Sequence, residues 1–248
     1  MPTQFAHALD AGRRRRINED AIETEAECGV GVLADGMGGH NAGEVASGFA
    51  VSTIRSDLTR WLRTHSSPPG EAGLRAAMRR SISHANEAIL EAARTRPGCA
   101  GMGTTVVVLV MSGAQMMIGH VGDSRAYRWR AGQLQRLTLD HSLTQERLSA
   151  GQTSPEQAQA RADRHVLTRA LGGSVDVEPE IQSHPLQPDD IILLCSDGLT
   201  EMLADRDIAA VLGSHPCLDE ACNALVVAAN GAGGRDNISV LLARQGPR

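Results

Sequence analysis

The chain contains no lysine. All 24 basic residues among its 248 are arginine, against 29 acidic ones, and the formal net charge is −5. Several chemistries disappear with the missing amine. A Schiff-base lysine is excluded, and so is a phosphate loop built on Gly-Lys-Ser/Thr. A kinase that pairs nucleotide phosphates with lysine is excluded too. Any phosphate handled here must meet arginine, backbone N–H groups or metal ions. Aromatic residues are scarce as well, at 2%: Phe5, Phe49, Trp61, Tyr127 and Trp129. The core must therefore be aliphatic, and a nucleic-acid partner, which needs a basic face and often stacking platforms, is not expected. The five cysteines form no Cys-x-x-Cys pair, which excludes a zinc ribbon or a thioredoxin-like site. No apolar run approaches the ~18 residues of a membrane span, and the first residues lack the apolar core of a signal peptide. The expectation is one cytoplasmic domain over residues 1–248, with reduced thiols and no membrane partner.

Hydrophobic residues make up 42% of the chain, enough for a large core. Short strands are expected at 5–11 and 20–24, and a buried strand at 28–34 ending at Asp35. The glycine-rich stretch from Asp35 to Gly43 reads as a loop, followed by a helix from Glu44 to Trp61. Apolar positions at Leu74, Met78, Ile82, Ala85, Ile89 and Ala92 give helical spacing over 71–94. From 103 to 137 alternating strands and turn residues predict antiparallel hairpins. Residues 140–165 are polar and weakly periodic, which fits a helical surface excursion. Strands at 178–184, 191–195 and 238–244 and helices at 205–213 and 217–230 complete the set. Helices grouped between hairpin-linked strands indicate an α+β architecture.

The carboxylates are the informative feature. Asp35 ends an apolar strand, Asp123 follows one, Asp197 ends Ile-Ile-Leu-Leu-Cys-Ser, and Asp236 precedes the last strand. Glu19-Asp20 precedes another. Strand-end aspartates beside small residues can converge at one edge of a core, and without lysine such a cluster repels itself. Mg²⁺ or Mn²⁺ resolves the repulsion, because both prefer oxygen ligands. Two such ions can activate water for in-line attack on phosphorus, and Arg15 or a neighbour can hold the phosphoryl oxygens. Taken singly, an Asp-Gly pair is usually a turn, and Arg13–Arg16 is usually a solvated charge run. Only the joint pattern points to chemistry.

Seven segments, in order, resemble the metal-dependent Ser/Thr protein phosphatases of the PPM (type 2C) family in their compact bacterial form. They are Arg15-x-x-Asn-Glu-Asp20, Asp35-Gly-Met-Gly-Gly-His-x-x-Gly43, Gly103-Thr-Thr105, Gly122-Asp-Ser-Arg125, Leu137-Thr-x-Asp-His-Ser142, Ser196-Asp-Gly-Leu199 and Arg235-Asp-Asn237. The resemblance implies a four-layer αββα sandwich of two stacked antiparallel sheets flanked by helices, with a flap subdomain at about 140–168. It implies hydrolysis of phosphoserine and phosphothreonine on proteins by a water bridging two Mn²⁺ or Mg²⁺ ions, with no phosphoenzyme. Asp35 would bridge the metals and the Gly36 carbonyl would complete one sphere. Asp197 and Asp236 would bind on one side, and Asp20 with Glu19 would act largely through waters. Asp123, shared with Asp197, would hold a third, weaker ion, and Arg15 would hold the substrate phosphate. Arg15, Asp35, Asp197 and Asp236 are thus the expected catalytic set. Eukaryotic members carry a histidine as general acid right after the Asp-Gly. Here that position is Met37, so the general acid is unassigned. Phosphorylated proteins are the implied partners, with a Ser/Thr kinase of the same cell as the opposing activity.

Rival chemistries fit less well. Cys-x₅-Arg is absent, since the residues six after each cysteine are Ala34, Thr105, Glu201, Asn223 and Ala228. Gly122-Asp-Ser124 has no Asp-x-x-His downstream to make an esterase. A histidine-kinase-like ATPase lid at 35–43 would leave the other aspartates unexplained. An inactive phosphatase fold that binds phosphoproteins is the alternative from another class. It predicts lost ligands, whereas every expected ligand position is filled.

Overall fold

The computed structural model describes residues 3–37, 42–65, 69–154, 157, 163 and 165–246. Eleven strands among them form two antiparallel sheets. The first sheet runs in the order β1 (Thr3–Asp10), β11 (Ile238–Gln245), β10 (Ile191–Cys195), β7 (Arg125–Arg130), β8 (Gln133–Arg136). The second runs β2 (Asp20–Glu25), β3 (Val30–Met37), β5 (Val106–Ser112), β6 (Gln115–Val121), β9 (Glu180–Pro185), with β4 (Gly103–Thr104) pairing the end of β3. Helices α1 (Gly43–Thr64) and α2 (Glu71–Thr95) cover the second sheet; α5 (Asp205–Ser214) and α6 (Leu218–Gly231) cover the first. Two shorter helices, α3 (Leu143–Ser149) and α4 (Asp197–Thr200), lie beside the cleft described below. The expected αββα layering is present.

The layers follow from side-chain alternation. In β5, Val106, Val108 and Val110 face the helices, while Val107, Leu109 and Met111 face the other sheet. In β10, Ile191, Leu193 and Cys195 face α5 and α6, while Ile192 and Leu194 point between the sheets. Both faces of these central strands are dry, so their sequences read as unbroken apolar runs although the pairing is antiparallel. The helices pack through small and branched residues such as Ala46, Ala50, Ile54 and Leu58 of α1. An aliphatic core therefore suffices, and only Tyr127 among the five aromatics is fully buried.

Two expectations need correction. The strand expected to stop at Asp35 continues to Met37, because Gly36 and Met37 gain ladder partners in Thr104 and Gly103 of β4. The loop from Asp35 to Gly43 is accordingly shorter; its residues 38–41, and with them His40, lie outside the described residues. In the excursion expected over 140–165, the described helix is α3, capped by the Ser142 hydroxyl, which accepts from the Gln145 N–H. Most of residues 155–164 lie outside the described set.

Candidate active site

The topology brings the carboxylates to one end of both sheets. Asp20 opens β2 and Asp35 lies directly opposite it on β3. Like charges facing across a ladder destabilise it, so this register carries a cost that the local sequence does not repay. Asp197 follows β10, and Asp236 precedes β11, the strand paired with β10. Asp123 sits in the turn that carries the chain from β6 of one sheet to β7 of the other. Asp35 feels the charges of Asp20, Asp197, Asp123 and Asp236, so the five predicted aspartates converge.

Their surroundings hold them firmly. The Asp35 N–H donates to Thr105 Oγ1 at 3.1 Å. The Asp35 carbonyl accepts from the Thr104 hydroxyl at 2.8 Å and from the Thr105 N–H at 2.9 Å. Thr105 Oγ1 in turn meets the buried Ser124 hydroxyl at 2.7 Å, which ties the Asp35 strand to the Asp123 turn. Asp20 Oδ2 accepts from Ser239 Oγ at 2.6 Å. Gly36 lies where backbones nearly touch: a Cβ there would stand 2.2 Å from the Gly43 carbonyl and 2.5 Å from that of Glu19. Neither neighbour is a flexible side chain. Gly36→Ala is thus expected to lower thermal stability by ~1–3 kcal/mol and to reduce turnover, which melting curves and assays on the same preparation will show.

Electrostatically the cluster is under strain. Loss of solvation, followed by the charge of Asp20 and then Asp197, pushes the Asp35 carboxyl well above its ordinary range. Asp197 is raised in the same way, by desolvation and then by Asp123 and Glu201. Asp20 and Asp123 are each pushed up to about 6, mainly by burial. Glu19 is raised by burial, although its Oε1 accepts from the Gly43 N–H at the start of α1. Arg15 is the one cation seen to bond the cluster among the described residues, donating to Asp236 Oδ2 at 2.8 Å. Asp20 Oδ1 is buried without a hydrogen-bond partner. Oxygen-only donors, uncompensated charge and an orphaned buried carboxylate oxygen fit a divalent cation of the Mg²⁺ or Mn²⁺ kind.

Sequence reasoning missed three supporting groups. Asn237 binds the loop between β1 and β2 at both ends. Its Nδ2 donates to the Ala11 and Ile17 carbonyls at 3.1 and 2.9 Å, and its Oδ1 accepts from the Glu19 N–H at 2.9 Å. Ser239 is fully buried in the otherwise apolar run 238–243 of β11, and that polar interruption was the available signal. His165 reaches Glu201 at 2.9 Å, and with Asp197 these ligating atoms lie within 4.8 Å of one another. It lies in a stretch without periodicity, so nothing in the sequence pointed to it.

A cleft of about 590 Å³ opens beside Asp123 and Asp197, bounded by α3, α4, Arg136 and Arg235. A fold of two helix-flanked antiparallel sheets with an aspartate cluster at one end is that of a metal-dependent protein phosphatase. The chain belongs to the protein phosphatase 2C family, whose pattern it matches over residues 12–230. It is a Ser/Thr protein phosphatase of this type. It is 39% identical over 236 residues to the serine/threonine phosphatase stp of Listeria monocytogenes, covering 94% of this chain and 92% of that one. The solved serine/threonine phosphatase of S. agalactiae superposes with a TM-score of 0.89 at 38% identity, covering 98% of this chain and all of the other. The catalytic domain of the phosphatase PstP, solved with two manganese ions, gives a TM-score of 0.84 at 33% identity, with 98% of each chain covered.

Proposed function

We propose that Asp20, Asp35, Asp197 and Asp236, with the Gly36 carbonyl and Glu19 in support, hold two Mn²⁺ or Mg²⁺ ions, and that Asp123 shares a third with Asp197. The observation that carries this is the convergence of Asp20, Asp123, Asp197 and Asp236 on Asp35, which faces Asp20 and its unpartnered Oδ1. Such ions, when bound, neutralise phosphoryl charge and make water acidic enough to act as a nucleophile near neutral pH. The carboxylates would hold the ions and so orient that water. Arg15 is exposed beside Asp236, and its guanidinium would suit two oxygens of a phosphoryl group.

Among the described residues, the thiol and hydroxyls next to the aspartates are committed elsewhere. The Cys195 thiol packs among helix-side apolar residues and burial pushes it up to about 12. Ser124 is bonded to Thr105, and Ser196 accepts from the Ser239 N–H. These commitments support direct hydrolysis by water as the reaction of this reading. It is tested by hydrolysis of a phosphothreonine peptide with Mn²⁺; turnover that persists in excess chelator would overturn the reading.

Arg15→Ala is expected to raise KM roughly ten- to hundredfold with a smaller fall in kcat, because a lost charge-assisted pair weakens ground-state phosphate binding. Steady-state kinetics will separate the two constants, and an unchanged KM would reject the role. The same reading takes phosphorylated proteins as substrates and a Ser/Thr kinase as the opposing activity. It also sets the protein in the cytoplasm, supported by five free cysteines.

A further inference from the structure

The loop that carries Arg15 presents four consecutive arginines, Arg13–Arg16, all exposed, on a chain whose formal charge is −5. It is a built loop. The Asp10 carboxylate accepts from the Gly12 N–H at 2.8 Å, and the Arg13 N–H donates to the Gly234 carbonyl. The Asn237 amide then closes it by holding Ala11 and Ile17, the residues on either side of the run and Gly12. One of the four is ion-paired and another acts on a nearby carboxylate. Arg15 pairs with Asp236, and Arg13 lies close enough to Asp10 to stabilise its charge. Arg14 and Arg16 have no carboxylate within ion-pair distance among the described residues. They flank the phosphate-binding arginine by one residue on each side, on a backbone pinned before any substrate arrives.

We propose that Arg14 and Arg16 form a second anion-recognition element of the substrate site. It selects phosphopeptides that carry a carboxylate or a second phosphate near the phosphoresidue being hydrolysed. The proposal rests on Arg15 as the phosphate grip. One residue of chain spans at most ~3.6 Å, so the favoured anion lies within one to three residues of the reacting group. A pinned loop loses little freedom on binding, and a cation pair beside a carboxylate floor both steers anionic segments and orients them.

The test uses three phosphothreonine peptides identical except at the flanking positions, which hold glutamine, aspartate or a second phosphothreonine. At low salt the wild-type kcat/KM is expected to be about five- to tenfold higher for the two anionic peptides than for the glutamine peptide. That ratio should shrink towards one at ~0.5 M salt, where screening is strong. It should also fall to about one in R14Q/R16Q and persist in R14K/R16K, which keeps the charge. A preference confined to the diphosphorylated peptide supports the element with phosphate as its partner; one shared with the aspartate peptide extends it to carboxylates. A wild-type ratio of one, or a ratio unchanged in R14Q/R16Q, would overturn it. Hydrolysis of p-nitrophenyl phosphate by the wild type reports the underlying site. If that is absent, the catalytic reading fails; if it is intact with a flat peptide ratio, only the arginine element fails.

Discussion

Asp197→Asn is expected to lower kcat/KM by on the order of a thousandfold or more, while making the chelator-treated protein more stable. The two effects have one cause. Asp197 is raised well above its ordinary range by lost solvation and by Asp123, Glu201, Asp236 and Asp20. Without a cation, its charge works against the fold. An amide of nearly the same shape removes that repulsion and leaves the packing intact. The same change deletes a charge proposed to hold a divalent ion, and a thousandfold is about 4 kcal/mol of transition-state stabilisation. The measurement is a pair of melting curves, with EDTA and with Mn²⁺, beside a phosphopeptide assay. The variant should melt higher than wild type in EDTA and gain less from Mn²⁺. Activity within tenfold of wild type would remove Asp197 from the mechanism.

Metal removal should also reverse the usual response of stability to pH. In the metal-free chain Asp20 and Asp123 hold their protons up to about pH 6, and Asp35 and Asp197 hold theirs further. Unfolded aspartates lose theirs near pH 4. Between those limits the folded state binds more protons, so stability falls as pH rises through the window. A carboxyl that titrates one pH unit higher folded than unfolded removes about 1.4 kcal/mol across it, and a net loss of a few kcal/mol corresponds to roughly 5–10 °C in Tm. The EDTA-treated protein should therefore melt lower at pH 7.5 than at pH 5. With saturating Mn²⁺ the slope should change sign, because ion and proton compete for the same oxygens. A metal-free Tm that rises over this range would contradict the electrostatic description of the site.

Much of this was legible in the sequence, for identifiable reasons. The β5 and β10 runs, the spacing in α2 and the turns between β5, β6, β7 and β8 are local patterns, and local patterns survive folding. The aspartates were found because each follows or precedes an apolar run, so strand ends could be located and their chemistry compared. The extension of β3 to Met37 was not legible, because it depends on pairing with β4, nearly seventy residues away. The roles of Asn237 and Ser239 are equally non-local: their partners lie in the β1–β2 loop and at the head of β2. Asp35 opposite Asp20 was visible as two separate strand-edge acids, but the register that sets them face to face belongs to the sheet.

Asn237 has a mechanical consequence. It stands at the foot of β11 in one sheet, and the loop it clasps leads into β2 of the other. Both amide protons and the amide oxygen are engaged, so nothing in the bracket is left to rotate. Between the sheets the contact is mostly aliphatic, which resists separation more than sliding, with polar links at the rims such as Arg128 and Arg130 to the Pro185 carbonyl. At this end, a neutral, directional clasp and the Ser239–Asp20 hydrogen bond oppose the slide. Arg15, proposed to grip phosphate, and the carboxylates, contributed from both sheets, thus share one frame of reference. Breathing of the core elsewhere is thereby expected to leave the gap between them unchanged.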